Sequence, residues 1–172
     1  MPKISATPER RTNHLTRKFV AEMSQKAKGT AEFVSEMTGL PNRRAFDEGS
    51  TSPFVVVSDI DNLKSTTDRF GHSVGDMLLR RFAEVLTSVG LDAYHNLSGT
   101  FLCKGESYQE LNIKLSKARQ ILRQQPFSFY DAGGRITAIE SAEFSFGIGT
   151  TVEEAEVALG QQKKLRVPES GK

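Results

Sequence analysis

Apolar residues along this chain fall into two rhythms, one of three to four positions and one of unbroken or alternating runs. Leu15, Phe19, Met23 and Ala27 lie four apart, and Ala31, Val34 and Met37 continue the stripe. That spacing predicts a helical lead-in from Pro8, weakened or interrupted at Gly29, with residues 1–7 before it expected to be disordered. Its single apolar stripe must pack on the rest of the chain or on a second copy of itself. Gly39 and Pro41 then break the pattern, and Asn42 can cap a helix over residues 43–48. Phe54-Val55-Val56-Val57 is a continuous apolar, β-branched run, the mark of a strand buried on both faces. A short helix is predicted after Asp61, with a turn at Phe70-Gly71-His72. Met77, Leu78, Phe82, Val85 and Leu86 predict an amphipathic helix over 76–89, and Leu111, Ile113, Leu115, Ala118, Ile121 and Leu122 another over 108–124.

Residues 92–104 read as a hairpin. Phe127 to Tyr130 and Arg135 to Ile139 flank Asp131-Ala132-Gly133-Gly134, a second hairpin signal. A strand over 144–149 and a helix over 152–164 close the chain. Helices alternate with strands while two hairpins interrupt the alternation, which predicts an α/β or α+β domain whose central sheet mixes parallel and antiparallel pairs. The predicted organisation is a lead-in over residues 1–36 and a compact domain over 37–172.

Composition changes this picture little. The 172 residues are 37% hydrophobic and 26% charged, within the range of globular domains and large enough for a core without disulfides. The one cysteine, Cys103, excludes a disulfide framework and a cysteine-based zinc cluster. No apolar run reaches membrane-spanning length, and the N-terminus lacks a signal peptide's apolar core, so the expected setting is cytoplasmic and away from membranes. The net charge of +2 is unevenly spread: residues 1–30 hold Lys3, Arg10, Arg11, Arg17, Lys18, Lys26 and Lys28 against Glu9 and Glu22. A solvated helix face explains this excess. Nucleic-acid binding through it ranks lower, because no recognition motif accompanies the charge.

The candidate chemistry lies where the apolar strand ends, in Asp59-Ile60-Asp61. Carboxylates two apart share a face while a strand continues, at the sheet edge where ligands of such folds bind. Oxygen ligands of this kind suit Mg²⁺, which takes one or two carboxylates with phosphate oxygens and water. A helix cap and a turn residue would use the same two aspartates. Taken alone, Lys64 reads as a surface lysine, and Asp76 as an acid favoured near a helix N-terminus.

TGLPNRRAF (38–46), DIDNLKSTTDRFGHSVGD (59–76) and FSFGIG (144–149), in that order, resemble the GGDEF domain of diguanylate cyclases. The resemblance runs from about Met37 to Lys164. It implies a palm-like fold related to nucleotide cyclases and polymerases, with two domains facing each other, each bringing a GTP, to form cyclic diguanylate. It assigns Asp59 and the carbonyl of Ile60 to metal, with Asp61 beside them. It places Lys64 near the phosphates, Asp76 on guanine, and Asn42 near the base. Lys163 matches a phosphate-contacting lysine.

The family's signature, Gly-Gly-(Asp/Glu)-Glu-Phe, falls on Leu97-Ser98-Gly99-Thr100-Phe101. Phe101 keeps the apolar anchor, while Gly99 and Thr100 stand where the acids belong, and Leu97 and Ser98 where the glycines do. No acidic residue lies between Asp92 and Glu106 to compensate. Thr67 replaces an asparagine that reads guanine, Ser88-Val89-Gly90-Leu91 lacks the arginine-x-x-aspartate inhibitory site, and Val167 falls near a position where the family keeps an arginine. The segment between Phe46 and Phe54 is also shorter than the family's. A bridging metal is worth several kcal/mol of transition-state stabilisation, so losing its ligand costs at least ~10³-fold in rate. The sequence therefore predicts a catalytically inactive GGDEF-like regulatory or protein-binding module. GTP or another guanine nucleotide, with Mg²⁺, is its expected ligand if the site is retained. A second copy or an active GGDEF protein is its expected partner. The alternative is a residual cyclase or another nucleotidyl-transfer enzyme in which Asp59 and Asp61 jointly hold one metal.

Overall fold

The computed structural model describes residues 30–131, 133–139 and 142–166. The expectations for the lead-in before Thr30, and for Val167, lie outside those residues. Within them the order is a 3-10 turn (Thr30–Glu32), α1 (Arg43–Glu48), β1 (Phe54–Ile60), α2 (Leu63–Phe70), α3 (His72–Ser88), β2 (Asp92–Leu97), β3 (Thr100–Gly105), α4 (Tyr108–Gln124), β4 (Phe127–Tyr130), β5 (Ile136–Ile139), β6 (Phe144–Gly149) and α5 (Val152–Arg166).

The main sheet has the order β2-β3-β1-β6, and every neighbouring pair is antiparallel. This corrects the mixed sheet expected from the alternation of helices and strands. β1 and β2, joined through α2 and α3, do run parallel, but β3 folds back from β2 and inserts between them. β1 likewise separates β3 from β6. Crossover-linked strands are therefore never hydrogen-bonded to each other, which is the split βαβ arrangement. β4 and β5 pair separately as a two-stranded hairpin.

Both faces of β1 are covered, as its unbroken apolar run requires. Val56 and Ile60 join Leu78, Phe82 and Leu86 of α3 and Leu111, Leu115 and Leu122 of α4 in the larger core. Phe82 anchors that layer, with its ring edge-on to Phe101 and Phe144 at 4.9 Å from each. Val55 and Val57 face the other way, onto Phe46 of α1 and Ala155 and Leu159 of α5. Lys104 is buried there, its ammonium donating to the carbonyls of Phe46 and Ser50 at 2.7 and 2.8 Å. Burial pulls its pKa down, opposed by the nearby charges of Asp92 and Asp47. The thiol of Cys103 is buried completely, which pushes its pKa up and leaves it unreactive.

The predicted continuation of the lead-in stripe through Ala31, Val34 and Met37 is not α-helical: beyond the 3-10 turn at Thr30–Glu32 the chain leaves the helix. Phe33 is buried against α1 instead, so packing of the domain begins before Met37. Local hydrogen bonds compete with a helix there: Gly39 N–H donates to Ser35 O at 2.8 Å, Ser35 N–H to Leu40 O at 2.8 Å, and Asn42 N–H to Phe33 O at 2.9 Å. The helix expected from residue 76 starts at His72, directly after the Gly71 turn. Among the described residues no helix is long and apolar enough to cross a membrane.

Candidate functional site

Asp59 lies at the end of β1, paired across the sheet with Thr100 of β3 and Ser145 of β6. Past Ile60 the chain turns through Asn62, in the left-handed region at φ 60°, and α2 and α3 form a wall beside the strand end. The wall is tight. A Cβ at Gly75 of α3 would come 2.6 Å from Thr67 Oγ1 of α2, so a side chain there would push the Thr67 hydroxyl aside. Between wall and sheet is a cleft of about 980 Å³. It brings together most of the predicted residues: Asp59, Ile60, Asp61, Lys64, Thr67, Asp76 and Lys163, with Ser98, Gly99 and Thr100 from the β2–β3 turn. Among the described residues, the side chains of Lys64 and Asp76 make no hydrogen bond or ion pair.

The turn is pressed against the strand end, with the N–H of Ile60 donating to the Gly99 carbonyl at 3.1 Å. Ser98 takes a positive φ of 49°, which a glycine would adopt more easily. A Cβ on Gly99 would stand 3.3 Å from Asp59 Oδ1 and 3.0 Å from Leu63 Cδ2. Any side chain at position 99 therefore grows toward the Asp59 carboxylate. The two carboxylates are otherwise engaged: Lys163 Nζ donates to Asp59 Oδ2 at 2.5 Å, and Ser145 Oγ donates to Asp61 Oδ1 at 2.9 Å. Asp59 and Lys163 are partly exposed, at 31% and 43% of their side-chain surface.

These donors do not fit a resident divalent cation well. Mg²⁺ would have to draw on Asp59, Asp61 and the Ile60 carbonyl, and Asp59 already has an ammonium at hydrogen-bonding distance. Among the described residues no three His, Cys, Asp or Glu side chains converge on a metal position.

Three predicted residues lie outside the cleft. Leu97 is 73% exposed on the turn's outer side, and Phe101 is wholly buried in the core. Asn42 caps α1, its Oδ1 accepting from Ala45 N–H at 3.1 Å while its Nδ2 donates to Glu32 O at 2.9 Å. Asn42→Ala is accordingly expected to cost about 1 kcal/mol of stability, read from denaturant unfolding. Affinity for any nucleotide, read by titration, should stay unchanged.

Sequence reasoning missed His95. Its ring lies 4.8 Å from that of Phe101, Ser35 Oγ is 2.6 Å from Nδ1, and Nε2 donates to the Ser98 carbonyl at 2.7 Å. A carbonyl only accepts, so Nε2 carries a proton toward Ser98, while Nδ1 faces the Ser35 hydroxyl. His95 thus holds the turn's backbone from behind and ties it to the segment entering the domain. Only the spacing of three residues before Ser98 hinted at it. Ser145 was missed as well, although the alternation of Phe144-Ser145-Phe146 already placed its side chain opposite those of the two phenylalanines.

A family model described as "Diguanylate cyclase, GGDEF domain" matches residues 33–95, which hold the capped α1, the Asp59 strand end and the α2–α3 wall. Over those residues the chain is GGDEF-like. It is 28% identical over 154 residues to the diguanylate cyclase DgcP of Escherichia coli K12, an alignment covering 77% of this chain and 45% of that protein. The chain thus spans less than half of that relative. The fold matches the GGDEF domain of DgcB from Caulobacter crescentus, solved in complex with c-di-GMP, at a TM-score of 0.66 and 23% identity, over 78% of this chain and 91% of that one. It also matches the diguanylate cyclase SiaD of Pseudomonas aeruginosa, solved with its activator SiaC, at a TM-score of 0.66 and 22% identity, over 91% and 67%. At those identities the likeness is one of fold. It agrees with the palm-like, helix-flanked architecture expected from the motifs, with an antiparallel GGDEF sheet.

Proposed function

We propose that this GGDEF domain does not condense GTP and serves as a regulatory or protein-binding module in cyclic diguanylate signalling. The observation that carries this reading is the position of Gly99. A side chain there would meet Asp59 Oδ1, at the place where the GGDEF resemblance calls for a second carboxylate on the metal, and glycine supplies none. Thr100, paired with Asp59 across the sheet, brings no charge either. Holding two phosphoryl groups in line over a metal needs those ligands, and each 1.36 kcal/mol lost is a factor of ten in rate.

What the cleft keeps supports a binding role. Lys64, Thr67 and Asp76 still line it from α2 and α3, so a guanine nucleotide remains its best-matched ligand. The partner best suited to the fold is another GGDEF domain, a second copy or an active cyclase. The activator solved with SiaD is a precedent for protein control of a relative.

The test is to add the purified domain to an active diguanylate cyclase and follow that enzyme's rate. A change of at least about twofold, with co-elution on gel filtration, is the expected result. A cyclase whose rate and elution are untouched, together with the absence of a cyclase in pull-downs, removes the partner reading.

A further inference from the structure

We propose that Lys163 is the resident cation of this cleft, taking at Asp59 the place a divalent metal would hold. The inference deepens the inactive reading by stating how the site keeps its charge in order without metal. It starts from distance: Nζ of Lys163 is 2.5 Å from Asp59 Oδ2. A metal such as Mg²⁺ binds a carboxylate oxygen at about 2.0–2.1 Å. The two cations compete for one oxygen.

The chain is built to bring this lysine there from 104 residues away. β6 carries Gly147 and Gly149, whose missing Cβ atoms would collide with Ala155 O at 2.1 Å and Glu154 Cβ at 2.6 Å. α5 therefore lies directly on the backbone of β6. Its rotation is fixed by the residue next to Lys163: Gln162 Oε1 accepts from the N–H of Phe146 at 2.7 Å and lies 3.5 Å from Arg119 Nη2. With Gln162 clamped to the sheet, Lys163 projects over the end of β1.

Charge makes the cation necessary. The cleft is lined by four aspartates, Asp59, Asp61, Asp68 and Asp76, against Lys64 and Lys163. Asp61 accepts a hydrogen bond from the Ser145 hydroxyl. A partly buried carboxylate beside other carboxylates needs a counter-charge, and Lys163 is the ion-pair partner of Asp59. A carboxylate at position 99 would raise the acids lining the cleft to five against the same two lysines.

The experiment is a titration with Mn²⁺ alone, followed by the electron paramagnetic resonance of the free ion. It uses the full chain, the variant Lys163→Gln, and the double variant Asp59→Asn/Lys163→Gln. The expected result is weak binding by the unaltered protein, about tenfold tighter binding by Lys163→Gln, and loss of that gain in the double variant. Lys163→Met, which keeps the stem's packing, should gain in the same way and serves if the glutamine variant folds poorly. Tight Mn²⁺ binding by the unaltered protein that disappears in Asp59→Asn overturns the proposal, as does a lysine variant that is folded and gains nothing. Because no nucleotide is present, a protein that binds Mn²⁺ through Asp59 yet leaves GTP intact removes this inference and leaves the inactive reading standing.

Discussion

Replacing Gly147 with alanine is expected to destabilise the domain by about 3 kcal/mol or more, lowering its midpoint in thermal unfolding by roughly 6–12 °C. The added methyl would stand 2.1 Å from the carbonyl oxygen of Ala155, 2.3 Å from the Leu159 nitrogen and 2.9 Å from the Ala158 carbonyl carbon. All three are backbone atoms of α5, which cannot step aside as a side-chain tip can. The whole helix must lift from the sheet, taking Ala155 and Leu159 out of the core they share with Val55 and Val57. Lys163 would leave Asp59 at the same time. Gly160, in the middle of the same helix, is the matched control. Nothing lies within 4 Å of a Cβ there, so Gly160→Ala should stabilise by about 0.5–1 kcal/mol through helix propensity. A Gly147→Ala variant as stable as the parent would mean that α5 does not rest on β6 as described.

Local features of the fold were legible in the sequence wherever one segment decides its own state. The helix over Tyr108–Gln124, the cap at Asn42 and the strand at Phe144–Gly149 follow from apolar period and capping chemistry within a dozen residues. What escaped depends on partners far along the chain. The antiparallel sheet could not be read because alternation of helix and strand does not say whether a returning hairpin strand will insert between crossover-linked neighbours, as β3 does between β1 and β2. The stripe through Ala31, Val34 and Met37 misled because burial of Phe33 against α1 outweighs four-residue spacing.

The cleft was legible in part for the same reason. Asp59, Ile60, Asp61, Lys64, Thr67 and Asp76 come from one continuous stretch, and a strand end followed by two helices gathers them without help. Gly99 could be placed only as a member of a turn, and its closeness to Asp59 needed the β1–β3 register. Pairing of Lys163 with Asp59 depends on how α5 is rotated on β6, which Gly147, Gly149 and Gln162 set together. No pattern within a single segment encodes that. Asn42 shows the converse: the capping chemistry read from the sequence describes its contacts, and the residue does not line the cleft.

The largest expected effect is on catalysis. With glycine at position 99 and an ammonium on Asp59, turnover of GTP to cyclic diguanylate should fall at least ~10³-fold below that of an active GGDEF enzyme, equivalent to about 4 kcal/mol of lost transition-state stabilisation. The deciding measurement incubates the purified protein with GTP and either Mg²⁺ or Mn²⁺, resolves the products chromatographically, and runs Asp59→Ala and an active diguanylate cyclase alongside. GTP is expected to return unchanged from both the parent and the variant while the active enzyme consumes it. Cyclic diguanylate formed by the parent and lost in Asp59→Ala would mean the opposite: the missing carboxylate is supplied from elsewhere and the domain is an enzyme.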